Sequence, residues 1–171
     1  MYDVVALGEL LIDFTPYGKS EQGNEVLEAN PGGAPCNVLA MLNKLGRKTA
    51  FVGKVGYDSF GTLLRNTITE IGIDSTGLVT DPKIHTTLAF VHLDEHGDRN
   101  FSFCRNPGAD MMLGKEELNE EIIKQAKIFH FGTLSMTSEK IRETTKAAIE
   151  MAKAGGSLLS FDPNLRPPLW D

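Results

Sequence analysis

Residues 30–46 read NPGGAPCNVLAMLNKLG, and the junction inside this stretch decides how the chain folds. Two adjacent glycines, Gly32 and Gly33, precede a segment from Ala34 to Leu45 whose apolar residues recur with helical spacing. The helical pattern stops at Gly46. Glycine loses more conformational freedom on folding than other residues, so two in succession indicate a sharp turn or a closely approached backbone. The stretch therefore predicts a turn that leads directly into a helix.

Strand-like and helix-like segments alternate through most of the chain. Strand patterns occur at residues 3–8, 10–14, 25–30, 49–52, 128–132 and 157–161, and helical patterns at residues 59–71, with Asp58 as N-cap, 115–127 and 138–153. Such alternation predicts right-handed βαβ units. We therefore expect an α/β fold with a mostly parallel sheet and helices on both faces.

A small group of strands interrupts this alternation. Residues 87–93 and 99–104 are rich in β-forming residues and flank the polar turn DEHGD, which is typical of a β-hairpin. Together with the strand at residues 25–30, they predict a small β-lid near residues 23–30 and 86–105. We expect this lid to pack over an edge of the main sheet.

The composition argues against several classes of protein. The chain has 171 residues, 17 Lys and Arg against 23 Asp and Glu, and a net charge of -6, whereas nucleic-acid binders present a basic surface. No apolar run approaches the ~20 residues that span a bilayer, and no signal peptide is recognisable. The two cysteines, Cys36 and Cys104, form no CxxC pair. We expect a reduced, cytoplasmic protein with two buried thiols, bound to neither membrane nor nucleic acid.

Two motif matches fail on their structural context. Residues 92–96, HLDEH, fit the H-x-x-E-H pattern of zinc proteases, which requires a helix to bring both histidines to one metal. Here the segment runs from a strand into a turn, so we predict a hairpin tip and no metal site. Residues 53–56, GKVG, belong to no G-x-x-x-x-G-K-[ST] string and predict a strand end followed by a turn.

Three groups of residues are candidates for a ligand site. Gly32 and Gly33 precede a helix N-terminus, where free N–H groups attract polar ligands, and Asn37 offers both a donor and an acceptor to a sugar hydroxyl. Asp13 follows the apolar run LLI, and ligands of open α/β sheets lie beyond the carboxyl ends of strands. The alternatives are a plain turn with a stabilised first helical turn, and an exposed acid at a strand end.

The third group follows the last predicted strand. Asp162, Asn164 and Arg166 bring an acceptor, an amide and a fixed cation to one strand end. A guanidinium suits a phosphate or a transferring phosphoryl group. The alternative is a proline-rich exit loop with polar surface residues.

Several stretches together resemble the ribokinase-like carbohydrate kinases of the PfkB group, and the fructokinases most of all. They are GELLIDF at 8–14, PGGAPCNVLAMLNKLG at 31–46, GKVGYDSFG at 53–61, RNPGADMML at 105–113, KIFHFGTLSM at 127–136 and FDPNLRPPLW at 161–170. The resemblance covers essentially the whole chain. It implies a ribokinase-like fold in which residues 1–171 are the N-terminal part of one sugar-kinase domain. It also implies a β-lid that doubles as a homodimer interface in many members.

The resemblance further implies transfer of the γ-phosphoryl group of ATP to a sugar hydroxyl, with Mg²⁺ and with D-fructose as the expected substrate. The residues implied to bind the sugar are Asp13, Gly32, Gly33, Asn37, Phe90, Phe101 and Arg105. Asp162, Asn164 and Arg166 match positions near the phosphates, where Arg166 would act electrostatically. No metal ligand is implied within this segment.

One departure from the family pattern is important. The second signature of the family, Asp-Thr-x-Gly-Ala-Gly-Asp, which carries the anion hole and the general base, is absent from this sequence. The N-x-x-E motif linked to magnesium is not recognisable either. We therefore expect the sequence to end before the nucleotide-binding half, where most of the ATP and Mg²⁺ site lies. Since phosphoryl transfer depends on positioning and electrostatics, this polypeptide by itself is expected to lack kinase activity.

Two other functions stay open at this point. A 2-keto-3-deoxygluconate kinase of the same family would need a cation for the substrate carboxylate, and Arg105 is available for it. A non-catalytic sugar-binding or regulatory protein would keep Asp13, Gly33 and Asn37 but would need its exposed sheet edge covered, because bare edges invite aggregation.

Overall fold

The structure is a computed structural model that describes residues 1–93 and 99–170. Its strands are β1 (Tyr2–Leu7), β2 (Leu11–Lys19), β3 (Glu25–Gly32), β4 (Thr49–Gly56), β5 (Asp74–Asp81), β6 (Leu88–Leu93), β7 (Arg99–Cys104), β8 (Ala126–Gly132) and β9 (Leu158–Asp162). Its α-helices are α1 (Ala34–Lys44), α2 (Ser59–Ile71), α3 (Glu120–Lys124) and α4 (Glu139–Ala154). Residues 94–98, where the hairpin tip was predicted and where most of the H-x-x-E-H match falls, lie outside the described residues.

The main sheet has the strand order β5-β4-β1-β8-β9, and all its neighbouring strands are parallel. Alternate residues of β1 supply two separate cores. Val4 and Ala6 pack with residues of α1 and α2, while Val5 and Leu7 pack with residues of α3 and α4. The predicted parallel sheet with helices on both faces is confirmed.

Local signals set the ends of α2 as predicted. The Asp58 carboxylate accepts the backbone N–H of Gly61 at 2.7 Å, which satisfies one of the free donors of the first turn. Gly72 ends the helix with a φ of 95°, a left-handed conformation that glycine adopts readily.

One predicted helix was wrong, and one strand was not predicted. Residues 115–127 do not form one helix: a 3₁₀ turn at Lys115–Glu117 precedes the short α3, because Asn119 caps a new helix by accepting the N–H of Ile122 at 3.2 Å. Strand β5 was not predicted, since Gly77 and the acidic residues at its ends weaken the strand pattern.

The lid is a second sheet with the order β3-β2-β6-β7. Its β6–β7 hairpin and β3 were predicted, but β2 also leaves the main sheet and pairs antiparallel with β3 and parallel with β6. Of the two cysteines expected to be buried, Cys36 is buried and Cys104, at the end of β7, is exposed. None of the described helices is both long and apolar enough to cross a membrane.

Candidate functional site

A cavity of about 510 Å³ lies between the lid and the N-terminus of α1. Five parts of the chain line it: the β1–β2 connection and β2 with Glu9, Leu11 and Asp13, the start of α1 with Gly33, Ala34 and Asn37, the β6–β7 hairpin with Val91, Phe101 and Phe103, the segment after β8 with Leu134, and the segment after β9 with Asn164 and Arg166. The cavity therefore brings together residues from all three candidate groups in the sequence.

The two glycines allow the chain to pack tightly against itself at this cavity. Gly33 has a φ of 126°, and a Cβ there would collide with the backbone oxygen of Glu9. A Cβ on Gly32 would collide with the carboxylate of Asp13. Gly33 lines the cavity, whereas Gly32 does not and packs against the Asp13 carboxylate. The close approach predicted from the sequence is confirmed, but its immediate partners are residues of this chain.

Asp13 and Asn37 supply polar groups from two walls of the cavity. Burial raises the pKa of the half-buried Asp13, and the positive charge of Arg166 partly offsets this effect. Asn37 lies in the first turn of α1 and is exposed. Among the described residues its side chain forms no hydrogen bond, so its amide is available to a ligand.

The segment after β9 adds an amide and a cation. Asn164 has a φ of 34°, and its backbone N–H donates to Asp162 Oδ1 at 3.0 Å. Residues other than glycine in this region are strained and often occur at functional sites. The Arg166 guanidinium carbon lies 5.9 Å from the ring centroid of Phe101, which orients the cation beside the cavity.

Glu9 is a cavity residue that the sequence reasoning missed. Its side chain is 3% exposed, and its Oε1 accepts the backbone N–H of Ala34 at 2.9 Å. Burial raises the pKa of Glu9 to about 7, and the negative charge of Asp110 adds to this effect while Arg105 opposes it. The sequence signal was a carboxylate directly after the glycine that ends the first apolar run.

Phe90 and Arg105, both predicted to contact the sugar, do not line this cavity. Phe90 stacks on Phe14 with ring centroids 5.0 Å apart, because side chains alternate along β6 and its neighbour Val91 takes the inward position. The same alternation places Phe103 beside Phe101 on the cavity side of β7, and an F-x-F pattern is the signal that predicts it.

Arg105 is held by an ion pair instead. Its Nη2 lies 2.7 Å from Asp110 Oδ2, and the two side chains are 2% and 4% exposed. Arg105 also donates to the hydroxyl of Thr137 and to the carbonyl of Leu134. Asp162, the remaining predicted residue, does not line this cavity and accepts the N–H of Asn164.

The described residues contain no group of three or more His, Cys, Asp or Glu side chains that could hold a metal ion. They offer no protein cage for magnesium, an ion that many enzymes bind largely through substrate phosphates and water.

The lid, the glycine turn and this cavity invite comparison with known carbohydrate kinases. The family model of the pfkB family carbohydrate kinases matches residues 1–171. The chain belongs to the PfkB family. The resemblance noted in the sequence is thereby confirmed.

Relatives within the PfkB family include named fructokinases. The chain is 48% identical to "Probable fructokinase-5" of Arabidopsis thaliana and 47% identical to "Fructokinase-1" of Zea mays, in each case over 98% of the chain and 52% of the relative. A crystal structure of fructokinase from Xylella fastidiosa superposes with a TM-score of 0.94 at 38% identity, covering 100% of this chain and 53% of that one. The chain thus spans about half the length of these relatives, and the ribokinase-like PfkB fold is confirmed for that half.

Proposed function

We propose that this chain provides the sugar-binding part of an ATP-dependent fructokinase. The observation that carries the proposal is the cavity itself, which Asp13, Gly33, Asn37, Asn164 and Arg166 line together. Carboxylate, amide and backbone groups on one side suit sugar hydroxyls, and the aromatic side chains of Phe101 and Phe103 suit the C–H faces of a sugar ring.

The roles of the residues follow from their chemistry. Asp13 accepts hydroxyl hydrogens through charge-assisted hydrogen bonds, and Asn37 both donates and accepts. Arg166 provides a fixed positive charge beside the reacting hydroxyl, where negative charge develops on the transferring phosphoryl group. Asp162 holds the strained Asn164 turn and so positions Asn164 and Arg166.

ATP is proposed as the phosphoryl donor. A fructokinase structure from Xylella fastidiosa with bound ATP superposes on this chain with a TM-score of 0.92. The second family signature, with its anion hole and general base, does not occur in the 171 residues. The chain alone is therefore expected to bind sugar without transferring phosphate. Magnesium is proposed to enter with the nucleotide.

The structure weighs against the 2-keto-3-deoxygluconate alternative. That substrate carries a carboxylate, and Arg105, the cation considered for it, is neutralised by Asp110 and lies outside the cavity. Among the described residues that line the cavity, Arg166 is the sole cation and Asp13 and Glu9 are anions. This charge balance favours a neutral sugar.

Homodimerisation through the lid and a cytoplasmic location remain predictions. Among the relatives, one of Arabidopsis thaliana is named "Probable fructokinase-6, chloroplastic".

The first experiment is the intact mass of the product of the native gene. If the mass is well above that of 171 residues, the product is then assayed for ADP release with D-fructose, 2-keto-3-deoxygluconate and ribose as substrates. Preference for D-fructose supports the proposal, and preference for 2-keto-3-deoxygluconate overturns it. A mass equal to that of 171 residues, with saturable fructose binding and no turnover, favours the non-catalytic sugar-binding protein.

A further inference from the structure

Glu9 has an unusual environment for a buried carboxylate. Buried charges in proteins are normally paired with a cation, since an unpaired charge is costly away from water. Among the described residues, no Lys, Arg or His nitrogen lies within 4.0 Å of the Glu9 carboxylate. Its hydrogen bonds come from the backbone, through the N–H of Ala34 at 2.9 Å and its own N–H.

The Glu9 carboxylate lies at the wall of the cavity, beside the N-terminus of α1. Glu9 and Asp13 both line the cavity, and the backbone of Glu9 packs against Gly33, the residue directly before α1. A carboxylate offers about four acceptor positions, of which the backbone donors occupy two. Because Glu9 lines the same cavity as Gly33 and Asn37, its remaining acceptor capacity is within reach of a ligand bound there.

We propose that Glu9 is a further substrate-binding residue, whose carboxylate is anchored by the Ala34 N–H and accepts a hydrogen bond from one sugar hydroxyl. The inference rests on the proposed function, because it needs a polyhydroxylated ligand in this cavity. It assigns one sugar hydroxyl to Glu9 and another to Asp13. A substrate that lacks the hydroxyl bound by Glu9 leaves a buried charge without its partner.

The test compares wild-type and variant forms of the native gene product at pH 8. Each form is combined with D-fructose and with analogues that lack one hydroxyl. Glu9→Gln removes the charge but keeps an oxygen that can accept the Ala34 N–H, and Glu70→Gln on the exposed side of α2 is the matched control. Dissociation constants are measured for D-fructose and for its 1-, 3-, 4- and 6-deoxy analogues.

The expected result has three parts. Glu9→Gln weakens D-fructose binding by about 10- to 100-fold, as expected for a hydrogen bond to a charged group. It has little further effect on the one analogue that lacks the contacted hydroxyl, since interacting groups are not additive. Glu70→Gln leaves all constants unchanged.

A purely structural role for Glu9 would weaken binding of every analogue by the same factor, and that result overturns the inference while fructose binding stands. Absence of D-fructose binding by the wild-type protein overturns the proposed function and this inference together. If Glu9→Gln does not fold, the ¹³C resonance of the Glu9 carboxyl group in the wild-type protein provides the answer. It should shift on addition of D-fructose and stay in place with one deoxy analogue, and no shift with any sugar contradicts the assignment.

Discussion

Arg105 and Asp110 form a buried ion pair in which Nη2 and Oδ2 are 2.7 Å apart. The Asp110 carboxylate also accepts the hydroxyl of Thr87 at 2.5 Å, and Arg105 reaches the carbonyl of Leu134 at 2.8 Å. Thr87 lies just before β6, Arg105 just after β7, and Leu134 just after β8. The pair therefore fastens both ends of the lid hairpin to the main sheet.

Removal of one partner of this pair should be costly. Asp110→Asn leaves the Arg105 charge buried without compensation, so we expect the free energy of unfolding to fall by about 3–5 kcal/mol in a urea titration. Glu150→Gln is the control, because its pair with Lys153 at 2.8 Å is solvent-exposed and such pairs contribute at most about 1 kcal/mol. Equal, small losses for both variants would show that the buried pair does not fasten the lid.

Asp13→Asn should separate binding from stability. The variant loses charge-assisted hydrogen bonds to the sugar, and we expect the Kd for D-fructose to rise by about 10- to 100-fold. Stability should be unchanged or slightly higher, since burial disfavours the charged form of Asp13. Calorimetric titration and thermal unfolding measure the two effects. Asp3→Asn is the control, because it lies at the opposite end of the sheet from the cavity and should leave the Kd for D-fructose unchanged. An unchanged Kd for Asp13→Asn would show that Asp13 does not bind the sugar.

Gly33→Ala and Gly46→Ala compare two glycines with left-handed backbone. Their φ values are 126° and 77°, and a Cβ at Gly46 meets open space. Gly46→Ala should cost about 1–2 kcal/mol of stability without an effect on sugar binding. Gly33→Ala should cost more and should also abolish measurable fructose binding, because its Cβ forces apart Glu9 and the start of α1. Chemical unfolding and fructose titration check both variants. Similar losses of stability and of fructose binding in the two variants would contradict close packing of Gly33 against the Glu9 backbone.

The pKa of Glu9 predicts how stability depends on pH. Since this pKa rises from 4.5 to about 7 on folding, the folded chain binds the proton more tightly than the unfolded chain. The burial cost is therefore absent below about pH 4.5, grows as the pH rises and is complete above about pH 7, where it reaches about 3 kcal/mol. Asp110 and Arg105 act on this carboxylate with opposite signs and stay in place in the variant.

The measurement is the difference in free energy of unfolding between Glu9→Gln and the wild-type chain. Because the variant cannot ionise at this position, it should gain stability relative to wild type between about pH 5 and about pH 8. A difference that stays constant over this range would show that Glu9 titrates normally in the folded chain.

Much of the fold follows from local signals in the sequence. The alternating pattern predicted the parallel sheet, Asp58 and Gly72 marked the ends of α2, and the glycine pair marked the entry into α1. These features depend on residues close together in the chain, where backbone preference and capping act directly. The helix predicted at residues 115–127 failed because an interior residue, Asn119, caps a new helix more favourably than it continues the old one.

The candidate site was found from the sequence in part. Asp13, Gly33, Asn37, Phe101, Asn164 and Arg166 were predicted and line one cavity. The register of the lid strands decided that Val91 faces this cavity and Phe90 does not. The F-x-F pattern places Phe101 and Phe103 on one face of β7, but which face meets the cavity depends on strand pairing across the lid.

The sequence by itself determined the family, the strand–helix alternation and the residues at the strand ends, because each is encoded in residue type and short-range spacing. The tertiary structure alone decided that Arg105 pairs with Asp110 and that Glu9 lies in the cavity beneath Ala34. Arg105 and Asp110 come together in the folded loop after β7, and Glu9 meets a residue 25 positions along the chain. The role of a charged side chain depends on its partner and on its burial. The partner of Glu9 comes from a distant segment, and Arg105 and Asp110 are buried because their loop packs against Thr87 and Leu134.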